Sequence, residues 1–387
     1  MDKAKYVFSQ VVEFLNNDAF YRIVKKYDGD KYVKHFTCWN QLLALMFGQL
    51  SNRESLRDLV VALEAHNKKL YHLGMGKNVS KTNLARANQE RNYRIFEEFA
   101  YYMVKEARGL RKTDIFHLGG SVYAFDSTTI DLCLNIFWWA TFRKKKGGIK
   151  VHTLFDVETQ VPAFFHMTTA IVHDSKAMKL IPYESGSYYI FDRAYNSFKD
   201  LYRIHLIQAF FVVRAKKNLQ YEVVTWRRKL PKNVRSDAII RFKMAKAKKD
   251  FPETLRRVVY WDEERKRELV FLTNATHITS LQVALLYKNR WQVELFFKWI
   301  KQHLRIKKFW GTTENAVRIQ IYVAIITFCL VAIVQHDMKL DRSIYETLQI
   351  LSISLTDKAH LRDLFDKTNF QDVKEQTDPN GQLFIDF

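Results

Sequence analysis

Apolar residues recur at helical spacing through the first third of the chain. They fall at Val11, Val12, Phe14 and Leu15, then over 39–50, 55–65 and 84–104, parted by polar breaks near Asp28-Gly29, Ser51-Asn52 and Gly74-Met75-Gly76. This pattern predicts an all-helical unit over 1–113. From about residue 119 the texture changes to short apolar runs. Strands are predicted at 122–125, 149–155, 161–168, 188–191 and 209–213, with helices at 173–183 and 197–206. The order over 119–216 is therefore β-β-β-α-β-α-β. Residues 217–279 are strongly basic and carry strand-like stretches at 221–226, 238–242, 256–261 and 268–272, which predicts an inserted β-rich subdomain. One long helix, 280–305, fills most of the 280–310 segment. A helical end over 311–387 holds the apolar run 321–334.

Charge changes the picture. Lys and Arg number 62 against 41 Asp and Glu, a net charge of +21, while 48% of residues are hydrophobic and 14% aromatic. A disordered basic tail lacks such a core, so the charge must coat a folded protein whose partner is a polyanion. Three scattered cysteines, Cys38, Cys133 and Cys329, suit neither a disulfide framework nor a zinc knuckle and agree with a reducing cytosol. The first residues lack an apolar run with a cleavage site, so no export signal is expected. The 14 residues of 321–334 fall short of the ~20 needed to cross a bilayer, and no membrane span is expected.

Two predicted strands end in an aspartate, in Phe125-Asp126-Ser127-Thr128 and Phe191-Asp192-Arg193-Ala194-Tyr195. Two carboxylates at adjacent strand ends repel unless a cation lies between them, and hard oxygen ligands suit Mg²⁺ or Mn²⁺. Either aspartate alone reads equally as a turn or cap residue. The 280–305 helix adds a third acid. Tyr287, Arg290, Glu294, Lys298 and Lys301 fall within one stripe roughly 80° wide, and apolar residues take the other side. A single acid among three cations and a tyrosine hydroxyl would let Glu294 complete a metal site while the cations hold phosphates.

The spacing Tyr287-x2-Arg290-x3-Glu294-x6-Lys301 resembles the Y-R-E-K signature of bacterial insertion-sequence transposases of the IS-four family. The resemblance runs through Asp126-Ser127-Thr128, residues 142–156, His173-Asp174-Ser175 and Asp192-Arg193-Ala194-Tyr195, over roughly 119–310. Ala194 departs from the family's more usual Gly. The resemblance implies an α/β RNase H-like mixed-sheet catalytic core, interrupted by the β-rich insertion, behind an N-terminal helical DNA-binding domain and ahead of a helical C-terminal end. It further implies that Asp126, Asp192 and Glu294 form a D-D-E triad binding two Mg²⁺ or Mn²⁺ ions. Tyr287, Arg290 and Lys301 would hold terminal phosphates, with cut-and-paste transposition, a hairpin intermediate in some relatives, and a homodimer that pairs two DNA ends. Trp226 and Trp261 both stand where an aromatic could receive a flipped base, and both read equally as packing residues.

Basic runs at 143–146, 216–217, 227–229 and 243–249 favour a DNA track, with Lys145, Lys146, Lys150, Arg193 and Lys298 as further phosphate contacts. Double-stranded DNA, both element ends and target, is the expected partner, in a cytoplasmic, nucleoid-associated setting. Reading of the end sequence falls to 1–113, with Lys77, Lys81, Arg86 and Arg91 as candidate contacts. His152 and His173 could assist the site but read first as hydrogen-bonded structural residues. Two other readings stand beside transposition: an RNase H-like endonuclease without strand transfer, and a catalytically inactive DNA-binding relative.

Overall fold

The computed structural model describes residues 5–76, 79–132, 137–143, 146–303 and 309–365. Six helices lead: α1 (Val7–Val12), α2 (Asn17–Lys26), α3 (Cys38–Leu50), α4 (Leu56–Ala65), α5 (Lys81–Glu90) and α6 (Arg94–Leu110). Side-chain caps start several of them. Asn16, Thr37, Ser55 and Ser80 each accept from a backbone N–H of the first turn.

The sheet follows. Its core strands are β1 (Val122–Leu132), β2 (Thr141–Arg143), β3 (Lys146–Asp156), β4 (Val161–Thr169), β5 (Tyr188–Phe191) and β6 (Phe210–Arg214), with the short α7 (Asp174–Ala177) before β5 and α8 (Phe198–Leu206) between β5 and β6. Strands β1, β3 and β4 pair antiparallel, whereas β1, β5 and β6 pair parallel. The spatial order β4-β3-β1-β5-β6 is the RNase H-like arrangement that the sequence implied. The single helix expected over 173–183 is instead α7 followed by a 3-10 turn, Met178–Leu180, because Pro182 disfavours helix at Ile181.

The basic insertion carries β7 (Tyr221–Trp226), β8 (Val234–Phe242), α9 (Ala245–Asp250), β9 (Leu255–Asp262) and β10 (Arg267–Thr273). These strands build no sheet of their own. β10 pairs antiparallel with β6, and β9, β8 and β7 follow in turn, so one ten-stranded sheet spans core and insertion. Without β10, the edge of β6 would present unpaired backbone groups. A buried ion pair ties the insertion down further: Arg256 donates to Asp237 at 2.9 and 2.6 Å and to the Ala275 carbonyl at 3.3 Å.

Two helices replace the expected 280–305 helix: α10 (Ser280–Lys288) and α11 (Trp291–His303). The break lies at Asn289-Arg290. Asn289 turns its side-chain amide onto the Leu285 carbonyl at 2.9 Å and accepts from Gln292 at 3.0 Å, a local alternative to the helical ladder. The chain then forms α12 (Glu314–Asp337) and α13 (Ile344–Ser354). The apolar run 321–334 lies inside α12, which is long and apolar enough to cross a membrane, yet its residues from Ile319 to Val334 are all buried in the protein's own core. Helices α3, α5 and α6 pack on α12, and one hydrophobic core runs from Val7 to Phe365. The helical front therefore shares its interior with the C-terminal helices. Cys38 and Cys329 are buried, and burial pushes the Cys38 thiol up to about 12; Cys133 lies outside the described residues.

Candidate active site

Strand alternation aims the first two acids. Val122, Ala124, Ile130 and Leu132 of β1 belong to the large core, while Tyr123 and Phe125 face the smaller core on the other side. Asp126 shares parity with Ala124, so it faces the side on which α11 packs. Along β5, Tyr188 and Ile190 face the same side, and Asp192 follows that parity directly after the strand. The parallel register sets Phe125 beside Phe191, which brings Asp126 and Asp192 side by side on neighbouring chains of the sheet.

Contrary to the sequence-based expectation, β1 does not end at Asp126. It runs on to Leu132, and Asp126 pairs with Thr153 of β3 in mid-strand. The polar stretch Asp126-Ser127-Thr128-Thr129 hid this continuation, although threonine suits a pleated strand. Asp192 does stand at a strand end, opening a 3-10 turn over Arg193–Tyr195.

The helical side supplies the rest. The side chain of Arg290, at the α10–α11 junction, donates to Asp126 Oδ2 at 3.0 Å and also bonds Glu294. Tyr287, on α10, donates its hydroxyl to Asp192 Oδ1 at 3.1 Å. Two residues of the same helical pair thus engage all three acids, Arg290 two of them and Tyr287 the third. Ser127 donates its backbone N–H to Asp126 Oδ1 at 2.8 Å. Tyr195 sets its hydroxyl 3.5 Å from the same oxygen, with its ring against Phe125. Tyr195 was quoted in the sequence motif but given no role; its spacing, three residues after Asp192 on one 3-10 turn, was the available signal.

Electrostatics mark Asp126. Burial pushes its carboxyl up to about 6, against the opposing pull of the Ser127 N–H and Arg290, and the charges of Glu294 and Asp192 push it further up. Burial and the neighbouring Asp192 likewise raise the Tyr287 phenol. Three carboxylates that feel one another make a hard oxygen donor set suited to a divalent cation. Among the described residues, however, no three His, Cys, Asp or Glu side chains converge on a single point. Arg290 explains this, since it provides the positive charge between Asp126 and Glu294.

The remaining expected contacts divide. Lys298 is exposed and Lys301 half-buried on α11, both on the Glu294 face at i+4 and i+7. Arg193 is half-buried beside Asp192. Lys150 is only 9% exposed and donates to the Val172 carbonyl at 2.9 Å, an internal tie within the fold. Lys145 lies outside the described residues, as does the side chain of Lys146, which begins β3. Trp226 stands 60% exposed on the terminal strand β7, and Trp261 is half-buried under the Arg235 guanidinium, 4.0 Å from its ring centre. His152 is buried and bonds Thr168 at 3.0 Å, in line with a structural role.

In the helical front, Lys81 and Arg86 are exposed on α5, and Lys77 lies outside the described residues. Arg91 points inward. It donates to the carbonyls of Phe36 and Thr37 and to Gln41, so the structure gives it a clamping role in place of the expected DNA contact.

Residues 117–330 match the family model described as Transposase DDE domain, and residues 3–76 match a domain of unknown function, DUF4372. A Sinorhizobium fredii (strain NBRC 101917 / NGR234) protein named as transposase y4zB is 37% identical over 213 residues, 54% of this chain and 59% of that one. A Geobacillus stearothermophilus protein named as the transposase for insertion sequence element IS5377 is 31% identical over 53% of this chain and 54% of its own length. The chain thus spans little more than half the length of these two relatives. A Synechocystis protein (strain ATCC 27184 / PCC 6803 / Kazusa), named as a transposase for insertion sequence element IS4SA, is 24% identical over 73% of this chain and 80% of that one. Among solved structures, the piggyBac transposase synaptic complex with hairpin DNA aligns over 96% of this chain and 87% of its own, at 12% identity and a TM-score of 0.47. With its family model covering more than half of the sequence, the chain belongs to the Transposase DDE domain family.

Proposed function

We propose that this protein is a metal-dependent transposase of the insertion-sequence type, which cuts DNA at the ends of its element and joins the freed 3′-ends to target DNA. The observation that supports this reading is that one helical junction engages all three candidate acids, Arg290 bonding Asp126 and Glu294 and Tyr287 bonding Asp192. Asp126, Asp192 and Glu294 would hold Mg²⁺ or Mn²⁺, two ions per site. When bound, such ions activate a water or a 3′-hydroxyl and stabilise the leaving oxygen of an in-line displacement.

The chain's own groups do the positioning. Arg290 presents a planar guanidinium that bonds one oxygen of each of two carboxylates and can exchange them for a phosphate. Tyr287 orients Asp192 from 3.1 Å and can donate to a phosphate oxygen instead. Lys298 and Lys301 extend the cationic face of α11 away from Glu294, where a DNA backbone would run. The basic insertion would add to the DNA track, and Trp226, exposed on its terminal strand β7, is an aromatic available to an unstacked base. The division 1–113, 119–216, 217–279, 280–310 and 311–387 then reads as end recognition, catalysis, DNA track, final acid and support. Action at two ends at once calls for a homodimer, working in the cytoplasm on nucleoid DNA.

The test is a cleavage and joining assay with Mg²⁺ or Mn²⁺ on labelled duplex containing the sequences that flank the gene, beside the Glu294→Gln protein. Metal-dependent nicking at the element boundary followed by joined products, both lost in the variant, is the expected result. Binding without cutting under either metal would overturn it in favour of an inactive DNA-binding relative, and cutting without joining would favour a plain endonuclease.

A further inference from the structure

Thr153 lies directly opposite Asp126 in the β1–β3 ladder, and opposed residues of an antiparallel pair share one face of the sheet. Its neighbours along β3, Val151 and Phe155, belong to the large core on that side, and the Phe155 ring meets Phe296 of α11 at 5.4 Å between centres. Thr153 is therefore buried on the side of the sheet that the Glu294 helix covers. It is 0% exposed, and among the described residues its hydroxyl has no hydrogen-bond partner.

A buried hydroxyl left unpaired has lost its hydration with nothing to offset the loss, so packing alone would be served better by valine. The side chains next to it on this face, along β3 and directly across on β1 and β4, are Val151, Phe155, Phe165 and Asp126. Only Asp126 accepts a hydrogen bond. The Cβ atoms of directly opposed residues stand about 4.5–5.5 Å apart, within reach of a hydroxyl and a carboxylate. In this structure that carboxylate is held by other donors, the Ser127 N–H at Oδ1 and Arg290 at Oδ2. A carboxylate oxygen has room for a second donor, and a turn of about 120° about χ1 exchanges the threonine hydroxyl for its methyl group.

We propose that Thr153 is a positioning residue for Asp126: when a divalent cation displaces Arg290 from the carboxylate, freeing the guanidinium for a DNA phosphate, the Thr153 hydroxyl turns and donates to Asp126. This deepens the transposase reading and rests on it. Arg290 and Ser127 orient Asp126 in the free protein, and Thr153 replaces the hydrogen bond that Arg290 withdraws. The carboxylate then keeps one orientation while an oxygen faces the cation. Hydrogen bonds of this kind to a ligating group are worth about 10–100-fold in metal affinity.

The test compares the full wild-type chain with Thr153→Val, which removes the hydroxyl and keeps the shape, and with Thr153→Ser, which keeps the hydroxyl. Three quantities are measured: urea unfolding in EDTA, Mn²⁺ affinity by calorimetry without DNA, and steady-state cleavage in Mn²⁺ of labelled duplex carrying the sequences that flank the gene. Thr153→Val should unfold at no lower urea concentration than wild type, because the hydroxyl it loses is unpaired in the free protein. It should bind Mn²⁺ about tenfold more weakly, and its kcat should fall about tenfold with KM for DNA unchanged. Thr153→Ser should restore both affinity and kcat. A valine variant equal to wild type in affinity and kcat would overturn the proposal. So would a valine variant destabilised in EDTA, which would mean that the hydroxyl already serves the fold, or a serine variant as impaired as valine, which would mean that shape and not the hydroxyl matters. A wild type that neither binds Mn²⁺ nor cleaves counts against the transposase reading, and the proposal falls with it. A wild type that does both, beside an indistinguishable valine variant, counts against Thr153 alone.

Discussion

Arg290 reaches from the α10–α11 junction across 164 residues of sequence to hold Asp126 at 3.0 Å, while also bonding Glu294. One cation therefore neutralises two of the three acids that the proposed chemistry assigns to metal. A guanidinium on a carboxylate contributes about 1.5–3 kcal/mol. Arg290 and a divalent ion compete for the same oxygens, so Arg290→Gln should bind Mn²⁺ about tenfold more tightly than wild type in the absence of DNA. Titration calorimetry reads this directly, and equal affinities would show that Arg290 does not guard the acids. The same variant should cleave poorly, because the phosphate contact is lost along with the competition.

The acids themselves are separable from DNA binding. Asp126→Asn, Asp192→Asn and Glu294→Gln should each abolish cleavage, while gel-shift affinity for duplex DNA stays within a few-fold of wild type, since a +21 chain draws most of that affinity from its cations. A triad variant that cleaves at the wild-type rate would remove that residue from the mechanism.

Burial of Asp126 predicts a pH-dependent stability. Its carboxyl titrates near 6 in the folded chain and near 4 when unfolded, so the folded state binds the extra proton between these values. Its ionisation therefore destabilises the fold as pH rises from about 4 to about 6. Asp126→Asn escapes this. In EDTA, urea unfolding should show the variant equal to wild type below pH 4 and more stable above pH 6, by up to about 3 kcal/mol.

The Arg256–Asp237 pair gives a prediction about architecture. Both side chains are almost wholly buried, and Arg256 also binds the carbonyls of Ala275 and Ile278, on the approach to α10. Arg256→Ala strands a buried carboxylate and should cost about 3–5 kcal/mol by urea unfolding. Replacing both partners, Arg256→Met with Asp237→Leu, should recover most of that loss. Because the variant disturbs the route into the helix bearing Tyr287, cleavage should fall at temperatures where the chain is still folded.

Local period was legible where it was uninterrupted. Strands 188–191 and 221–226 and the α8 and α12 helices follow directly from apolar runs and caps, and the three acids could be named from their settings. What the chain order concealed was pairing. Nothing in 268–272 says that this strand lies against β6 and not within a separate sheet, because hydrogen-bond partners are chosen by the edge left open. The helix break at Asn289 was hidden by a stripe whose period looks continuous, and depends on one amide turning to its own backbone. Arg91 looked like any surface cation, and only the carbonyls of the 36–37 loop reveal its use.

The joining of β10 to β6 also bears on how freely this chain can vary. The polypeptide leaves the core after β6 and re-enters as the very next strand, so the two ends of the 217–279 excursion are fastened side by side by hydrogen bonds. Whatever is inserted between them, long or short, returns to the same doorway, and α10 and α11 start from a fixed threshold. The segment can thus change in length while Arg290 keeps its hold on Asp126 and Glu294.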